Sequence, residues 1–292
     1  MKNMLEIHFL RITWGDIILL KQGDEAAMID TGFAEYYDAI KEYLDKLGVK
    51  KLSFILLSHF HNDHYGSIPN LVKNFEVDKV YLKEYSGLDK TGSSGTLAGD
   101  DYRSAEMKQW QEIKKTIEEH SSYVRVEDLD EITFAGHTLN LFRTANTIRE
   151  IYEDKTYEET YHQILFSENV NSLAAFLKVN GVNIFFGGDL YDVEYNHPRA
   201  SYANYQIADA IGEQIDIYKV PHHGTGGSNS PMALDIYKPK YAVITNGEEY
   251  MKASPIYQDL RRVNENVEIL LAEKNNIVFK ISDEGQISCE MC

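Results

Sequence analysis

The stretch Phe54-Ile55-Leu56-Leu57-Ser58-His59-Phe60-His61-Asn62-Asp63-His64 carries the strongest structural signal in the chain. An apolar, strand-like run leads directly into a cluster with the spacing H-x-H-x-D-H. Histidine and aspartate are costly to bury unless they are paired or bound to metal, and together they suit zinc and similar divalent ions. The pattern predicts a strand that carries a metal site at its C-terminal end, as is usual in α/β proteins. The alternative is a solvated, histidine-rich turn.

The spacing of the cluster indicates which side chains act together. Alternate side chains of an extended segment point the same way, so His59 and His61 are expected to reach one metal ion. Asp63 and His64 lie beyond the turn and can reach a second ion. The cluster by itself therefore favours a site with two ions.

Three further segments complete a resemblance to a known family. They are Met28-Ile29-Asp30-Thr31-Gly32, Gly187-Gly188-Asp189 after the apolar strand Val182–Phe186, and Pro221-His222-His223-Gly224. Together with the histidine cluster, these segments resemble the motifs of the metallo-β-lactamase-fold hydrolases over about Leu5 to Leu270. Asn169-Val170-Asn171-Ser172-Leu173 and the segment from Lys219 to Gly224 are similar to the competence-type branch. That branch includes the soluble domain of a DNA-uptake channel protein, and bacterial phosphorylcholine esterases resemble it.

The fold that this resemblance implies is an α/β, four-layer αββα sandwich of two mixed β-sheets flanked by helices. The alternation of strand and helix patterns along the chain predicts the same layers. We expect a single domain over residues 1–292, interrupted by insertions near 86–101 and 143–168.

The resemblance also implies a set of site residues. Two divalent ions are expected, zinc first, with manganese or iron as alternatives. The implied metal ligands are His59, His61, Asp63, His64, Asp189 and His223, with His222 as the alternative to His223. Asp189 would bridge both ions, and Asp63, Asp189 and His223 are the expected catalytic residues. Asp30 is expected behind the ligands, where it would orient an imidazole.

The chain departs from the family pattern at two places. Most members supply a third histidine to the first metal where this chain has Asn169 to Ser172, so Asn171 or water is expected as a weak ligand there. His137 and His162 are the nearby histidines, and both are expected at the surface. The second departure is Ser254, which stands where competence-type members often have a histidine and which cannot serve as the same general acid.

Composition and charge limit which partners the chain is expected to bind and in which compartment it is expected to occur. The net charge is −17, with 46 acidic against 29 basic residues, which disfavours binding to extended nucleic acid. No apolar run reaches the about 18 residues that span a bilayer, and the N-terminus does not resemble a signal peptide. A soluble, cytoplasmic protein without membrane contact is expected.

Cys289 and Cys292 form a lone C-x-x-C, interpreted as part of a frayed tail. The sequence does not indicate the oligomeric state.

The expected function is a dinuclear metal-dependent hydrolase of a small or exposed phosphodiester, acting through a hydroxide that bridges the two metals. Tyrosines beyond Asp189 could hold a quaternary ammonium group, although packing and helix surface are the more common reasons for such a stripe. These are Tyr191, Tyr195, Tyr202 and Tyr205. The alternatives are a hydrolase of carboxylic esters, thioesters or lactones, and a non-catalytic metal-binding regulatory module.

Overall fold

The computed structural model describes residues 4–85, 100–126, 129–143, 168–190, 203–225, 228–252 and 254–292. The insertions expected near 86–101 and 143–168 lie outside these ranges except at their ends. His162, Tyr191, Tyr195 and Tyr202 lie outside them as well.

Strands numbered along the chain form two large sheets and one small one. They are β1 (Leu5–Phe9), β2 (Ile17–Gln22), β3 (Glu25–Thr31), β4 (Lys51–Leu52), β5 (Phe54–Leu56), β6 (Glu76–Val77), β7 (Lys79–Leu82), β8 (Ser122–Arg125), β9 (Glu131–Phe134), β10 (His137–Arg143), β11 (Leu173–Val179), β12 (Val182–Phe186), β13 (Ile217–Lys219), β14 (Tyr241–Ile244), β15 (Glu268–Leu271), β16 (Ile277–Ile281) and β17 (Ile287–Met291). The first sheet has the order β17-β16-β1-β2-β3-β5-β7-β8, and the second has the order β15-β14-β13-β12-β11-β10-β9. Strands β4 and β6 pair separately.

Both large sheets are mixed. In the first sheet, β3, β5, β7 and β8 run parallel, while β1, β2, β16 and β17 pair antiparallel. In the second sheet, β12 to β15 run parallel and β9 to β12 pair antiparallel. The segments that carry the predicted site follow the carboxyl ends of parallel strands in both sheets.

Helices lie on the outer face of each sheet. They are α1 (Tyr37–Lys46), α2 (Asn62–Tyr65), α3 (Ile68–Asn74), α4 (Asp100–His120), α5 (Ala203–Ile211), α6 (Pro231–Tyr237), α7 (Glu248–Met251) and α8 (Ile256–Val263), with 3-10 turns at Ala34–Tyr36, Glu168–Asn171 and Pro221–Gly224. Over the parts of the chain that the structure describes, no helix combines the length and the apolarity needed to cross a membrane.

Alternating side chains divide the core into layers. On β2, Ile18 and Leu20 point into the core between the two sheets, whereas Ile17 and Leu19 pack toward the outer helices. On β12, Ile184 faces the same central core and Phe185 packs with α5 and α6. The period of two along a strand produces this division. The predicted αββα sandwich is confirmed.

Two helices follow the histidine cluster, where the sequence pattern predicts a single helix from about Tyr65 to Lys73. Helix α2 begins at Asn62, and the chain restarts as α3 at Ile68. Pro69 lies in the first turn of α3, where a missing N–H leaves no helical bond unmade. Asp63 and His64 therefore lie on a helical turn.

The C-terminal segment is ordered, so the interpretation of a frayed tail is wrong. Cys289 lies in β17 opposite Phe279 of β16, and the backbone of Cys292 exchanges hydrogen bonds with Asn276. Cys289 also packs against the core between the sheets. Strand pairing and burial at this edge outweigh the fraying that is common at chain ends.

Candidate metal centre

The predicted site residues meet where parallel strands of both sheets end. His59 follows β5 in the first sheet, while Asp189 and His223 follow β12 and β13 in the second. Ligand sites of open α/β sheets form at this end of the strands. The fold thus brings residues from distant parts of the sequence into one buried cluster.

Asp189 belongs to both groups of possible metal ligands among the described residues. One group is His59, His61 and Asp189, and the other is Asp16, His64, Asp189 and His223. Oδ1 of Asp189 lies 3.3 Å from His64 Nε2 and 3.2 Å from His223 Nε2. Oδ2 lies 3.7 Å from His59 Nε2. A carboxylate shared by two ions needs this arrangement, with one oxygen toward each group.

Asp63 and Asp16 approach His64 and His223 from opposite sides. Asp63 Oδ2 lies 3.7 Å from His64 Nε2 and 3.5 Å from His223 Nε2. Asp16 contacts the other nitrogens, at 3.9 Å from His64 Nδ1 and 3.4 Å from His223 Nδ1. A metal-binding imidazole uses one nitrogen for the ion and donates from the other. Asp63 therefore lies on the side of Asp189, and Asp16 lies behind the histidines.

Asp16 belongs to this cluster but is absent from the residues predicted from the sequence. It stands in Trp14-Gly15-Asp16-Ile17-Ile18, where an acid directly opens an apolar strand, and its side chain is buried. A buried acid at the start of a core strand is unusual enough to have been a signal. Lys219 is a second charged residue of this kind, because it lies in the apolar segment of β13.

Asp30 lies behind His64, where the resemblance placed it. Its Oδ2 is 2.8 Å from His64 Nδ1 and accepts a hydrogen bond from Ser58 Oγ at 2.7 Å. Its Oδ1 accepts from the backbone N–H of Ser58 at 2.8 Å. Asp30 has a positive φ of 55°, a conformation that costs a non-glycine residue energy. The dense bonding of its carboxylate offsets that cost.

The two adjacent histidines of the last motif point to different surroundings. His223 joins the cluster, and His222 lies beside it. The Nδ1 atom of His222 lies 2.6 Å from Thr225 Oγ1 and 2.9 Å from Ser228 Oγ, and its Nε2 lies 3.0 Å from Asn169 Nδ2. Both histidines have positive φ, 50° for His222 and 53° for His223. This left-handed backbone after Pro221 turns the two rings apart.

Unpaired buried atoms test whether the residues fit a metal. His64 Nε2, His223 Nε2 and Asp189 Oδ1 are buried and have no hydrogen-bond partner. The Asp189 oxygen nevertheless lies 3.3 Å from His64 Nε2 and 3.2 Å from His223 Nε2. Such groups are normally satisfied, because an unmet buried polar atom costs free energy. A divalent cation between them would satisfy all three. The donor set of imidazole and carboxylate fits zinc or a similar ion.

The charges of the cluster lead to the same conclusion. Burial by itself would lower the pKa of both histidines, but neighbouring carboxylates outweigh it. Asp189 and Asp63 hold the pKa of His64 well above its ordinary value, and Asp189 and Asp16 raise the pKa of His223 to about 10. Burial would raise the pKa of Asp189, yet His223 and His64 hold it well below the ordinary value. The buried carboxylates require positive charge, which a bound cation supplies.

His59 and His61 form the other half of the cluster. Their rings approach with His59 Nε2 3.0 Å from His61 Nδ1, and Ser58 Oγ lies 3.0 Å from His59 Nδ1. Burial, reinforced by His64, lowers the pKa of His59 well below its ordinary value. A neutral imidazole is the form that binds metal.

The two departures from the family pattern have distinct structural settings. Asn171 donates its amide N–H groups to Glu168 Oε1 at 3.0 Å and to the carbonyl of Glu84 at 3.4 Å. Ser254 donates to the carbonyl of Gly224 at 2.7 Å. His137 lies at the β9–β10 turn, with Nε2 3.0 Å from Gln22 Oε1, remote from the cluster.

Parts of this chain are similar in sequence to known proteins. Residues 15–147 match the family model of the metallo-β-lactamase superfamily. The uncharacterized protein YobT of Bacillus subtilis (strain 168) is 36% identical over 66 residues, which are 23% of this chain and 28% of that protein. The lactamase-like protein notP of Aspergillus sp. (strain MF297-2) is 40% identical over 79 residues, 26% of this chain and 24% of that protein. The matched segments thus span about a quarter of these curated relatives.

A crystal structure shares the fold across nearly the whole chain. The metallo-beta-lactamase fold protein YhfI from Bacillus subtilis aligns with a TM-score of 0.52 and 13% identity, covering 97% of this chain and 99% of that one. The family-model match over residues 15–147 and this shared fold both support the resemblance to the metallo-β-lactamase superfamily, whose members are mostly metal-dependent hydrolases. The resemblance to the competence-type branch stays a prediction.

Proposed function

We propose that this chain is a dinuclear metal-dependent hydrolase that acts on phosphodiesters. The observation that carries the proposal is the Asp189 carboxylate, which faces His59 with one oxygen and both His64 and His223 with the other. The proposed ligands are His59, His61 and Asp189 for one ion, and Asp63, His64, Asp189 and His223 for the other. Two such ions, when bound, lower the pKa of a water between them and stabilise charge on both the attacking and leaving oxygens of a diester.

The chain's own residues supply the remaining parts of the reaction. Burial would raise the pKa of Asp63, but His64 and His223 outweigh it and lower the pKa. Asp63 thus stays ionised and can accept a hydrogen bond from the attacking water. Ser254 is engaged with the carbonyl of Gly224, so it does not protonate the leaving group. We therefore expect p-nitrophenyl diesters, which release a stable phenolate, to be cleaved far faster than diesters that must release an alkoxide.

An aromatic pair beside the cluster favours a particular class of diester. The ring of Trp14 lies 5.4 Å from the ring of His223 and meets Tyr250 edge to face at 5.2 Å. Tyr250 is 57% exposed. An exposed aromatic face beside a site can hold an aromatic or quaternary ammonium group. With the net charge of −17, this supports a small cationic or aromatic diester over long DNA.

The deciding experiment compares substrates under one set of conditions. Purified protein loaded with Zn²⁺ or Mn²⁺ is assayed on bis(p-nitrophenyl) phosphate, p-nitrophenyl phosphorylcholine, a thioester, a lactone, a β-lactam and linear DNA. We expect the two small diesters to be turned over fastest. Asp189→Asn should abolish turnover, whereas Asp216→Asn should not, because Asp216 pairs with Lys240 at the opposite end of β13.

Each other result has a definite meaning. A thioester or lactone that is hydrolysed much faster than both diesters would overturn the phosphodiesterase proposal. Two bound ions without turnover of any substrate would indicate a metal-binding regulatory module. Tyr250→Leu tests the aromatic pair, since it should raise KM for the choline ester more than for bis(p-nitrophenyl) phosphate.

A further inference from the structure

A fully buried lysine lies behind the cluster and does not contact the proposed ligand atoms. Lys219 has an exposed fraction of 0%, and its Nζ lies 2.7 Å from Asp16 Oδ2. It also donates to the carbonyl of Val220 at 2.9 Å and to that of Gly188 at 3.4 Å. Lysine is rarely buried completely, and an unpaired buried ammonium is strongly destabilising. Lys219 is fully satisfied here, and its charged partner is Asp16.

Asp16 connects Lys219 to His223 through Thr245 and also lies 3.4 Å from His223 Nδ1 itself. The Thr245 hydroxyl donates to Asp16 Oδ1 at 2.6 Å, and its oxygen lies 3.0 Å from His223 Nδ1. A hydroxyl has one proton to donate. Since Thr245 gives that proton to Asp16, it must accept from His223, and the proton of His223 lies on Nδ1. The Nε2 atom then points toward Asp189 and Asp63.

We propose that Lys219, Asp16 and Thr245 form a buried positioning relay that keeps a proton on Nδ1 of His223 and reserves Nε2 for a metal ion. The proposal rests on the proposed metal site. The order of donation is His223 Nδ1–H to Thr245 and Thr245 to Asp16, and Lys219 forms an ion pair with Asp16. None of the three relay residues needs to touch the ion or the substrate. The relay is the counterpart of Asp30 and Ser58, which hold Nδ1 of His64.

The relay also joins segments that fold far apart in sequence. Asp16 precedes β2 of the first sheet, whereas Lys219 ends β13 and Thr245 directly follows β14 in the second. Lys219 additionally bonds the carbonyl of Gly188, next to Asp189. One buried charge pair thus connects the backbone before Asp189 with the imidazole of His223. Partners behind the ligands typically change metal affinity 10–100-fold when they are removed.

Thr245→Val removes the relay oxygen with little change in shape. The zinc affinities of the two proposed ions are measured by competition with a chromogenic chelator. The affinity that His61→Ala weakens belongs to the ion held by His59 and His61, so the other affinity belongs to the ion held by His223. We expect Thr245→Val to weaken the His223 ion by about 10–100-fold and the other ion by less than about threefold. Thr245→Ser keeps the hydroxyl and should restore the wild-type value. Asp16→Asn should weaken the same ion, because it removes the relay's charge.

A spectroscopic readout separates positioning from general damage. In the zinc-loaded, ¹⁵N-labelled wild type, the Nδ1–H of His223 should give a slowly exchanging downfield proton signal. That signal should be lost or exchange-broadened in Thr245→Val and return in Thr245→Ser. Should Thr245→Val fail to fold, Thr245→Ala serves for both measurements, because it also removes the hydroxyl and leaves the ion pair of Asp16 and Lys219 in place.

Neither measurement requires a substrate, so the relay and the hydrolase proposal can fail separately. Equal weakening of both ions, unchanged affinity for the His223 ion, or an unchanged Nδ1–H signal in Thr245→Val would overturn the relay. Wild-type protein that binds no zinc would overturn both proposals. Selective weakening in a protein that turns over no diester would support the relay and count against the phosphodiesterase.

Discussion

At the scale of single residues, Ser58 contacts both halves of the cluster. Its backbone N–H and hydroxyl both donate to Asp30, and the same hydroxyl lies 3.0 Å from His59 Nδ1 and 3.5 Å from His64 Nδ1. One side chain thus touches a histidine of each ligand group. A small polar residue at this position costs little to bury because its hydrogen bonds are made.

Ser58→Ala should therefore separate stability from metal binding. We expect the free energy of unfolding to fall by about 1–3 kcal/mol, since Asp30 loses a donor in a buried setting. Metal affinity should fall as well, because His59 and His64 lose a contact that orients them. Ser67→Ala is the matched control, as Ser67 is also buried and donates to the carbonyl of Phe33 at 2.8 Å. Calorimetry and chelator competition measure the two effects, and equal metal affinities in both variants would contradict the orienting role.

At the scale of elements, short turns after the parallel strands place the ligands. The turn after β12 holds Gly188 at φ 50°, and a Cβ there would lie 2.5 Å from Ser172 Oγ and 2.8 Å from Ser58 Cβ. Ser172 Oγ accepts the backbone N–H of Asp189 at 3.0 Å. The close approach of three chain segments therefore requires glycine at this turn.

Gly188→Ala should disturb this turn through steric overlap. We expect a loss of about 2–4 kcal/mol in the free energy of unfolding, from backbone strain together with overpacking. Gly181→Ala has the same kind of backbone, φ 82°, but no atom within 4 Å of the added Cβ, so it reports the strain alone. Denaturant titration of both variants measures the difference. A Gly188→Ala protein as stable as Gly181→Ala would show that the turn can relax.

At the scale of the whole molecule, the cluster draws its residues from strand ends of both sheets. His59, Asp63 and His64 follow a strand of the first sheet, and Asp189 and His223 follow strands of the second. A bound ion would cross-link the sheets in the folded state only. A ligand specific to the folded state stabilises it by about 2.7 kcal/mol at a concentration 100 times its Kd.

Removing metal should therefore lower the melting temperature. We expect the zinc-loaded protein to melt several degrees above the chelator-treated protein, with the difference growing as free zinc rises. Asp189→Ala, which removes the shared ligand, should reduce that difference and retain fewer ions by mass spectrometry. Differential scanning calorimetry gives the result. A melting temperature independent of zinc, in protein shown to contain it, would contradict the cross-link.

Much of the fold follows from local sequence patterns. Short apolar-rich runs such as those from Ile17 to Lys21 and from Val182 to Phe186 predict strands, and the structure confirms them. The H-x-H-x-D-H cluster predicts its own place at a strand end, because the cost of burying imidazole and carboxylate is a property of those residues. The metal roles of the cluster residues remain predictions that the geometry supports.

Tertiary structure alone decided the rest. Asp16 and Thr245 meet across 229 positions of sequence, and no local periodicity encodes that contact. Which of His222 and His223 lies in the cluster depends on their left-handed backbone after Pro221, and the C-terminal strand depends on pairing with β16. Sequence patterns record which residues can be buried and how each segment prefers to fold. Which buried charges neutralise one another is determined only when the two sheets pack together, because that interaction acts through space and depends on distance and burial.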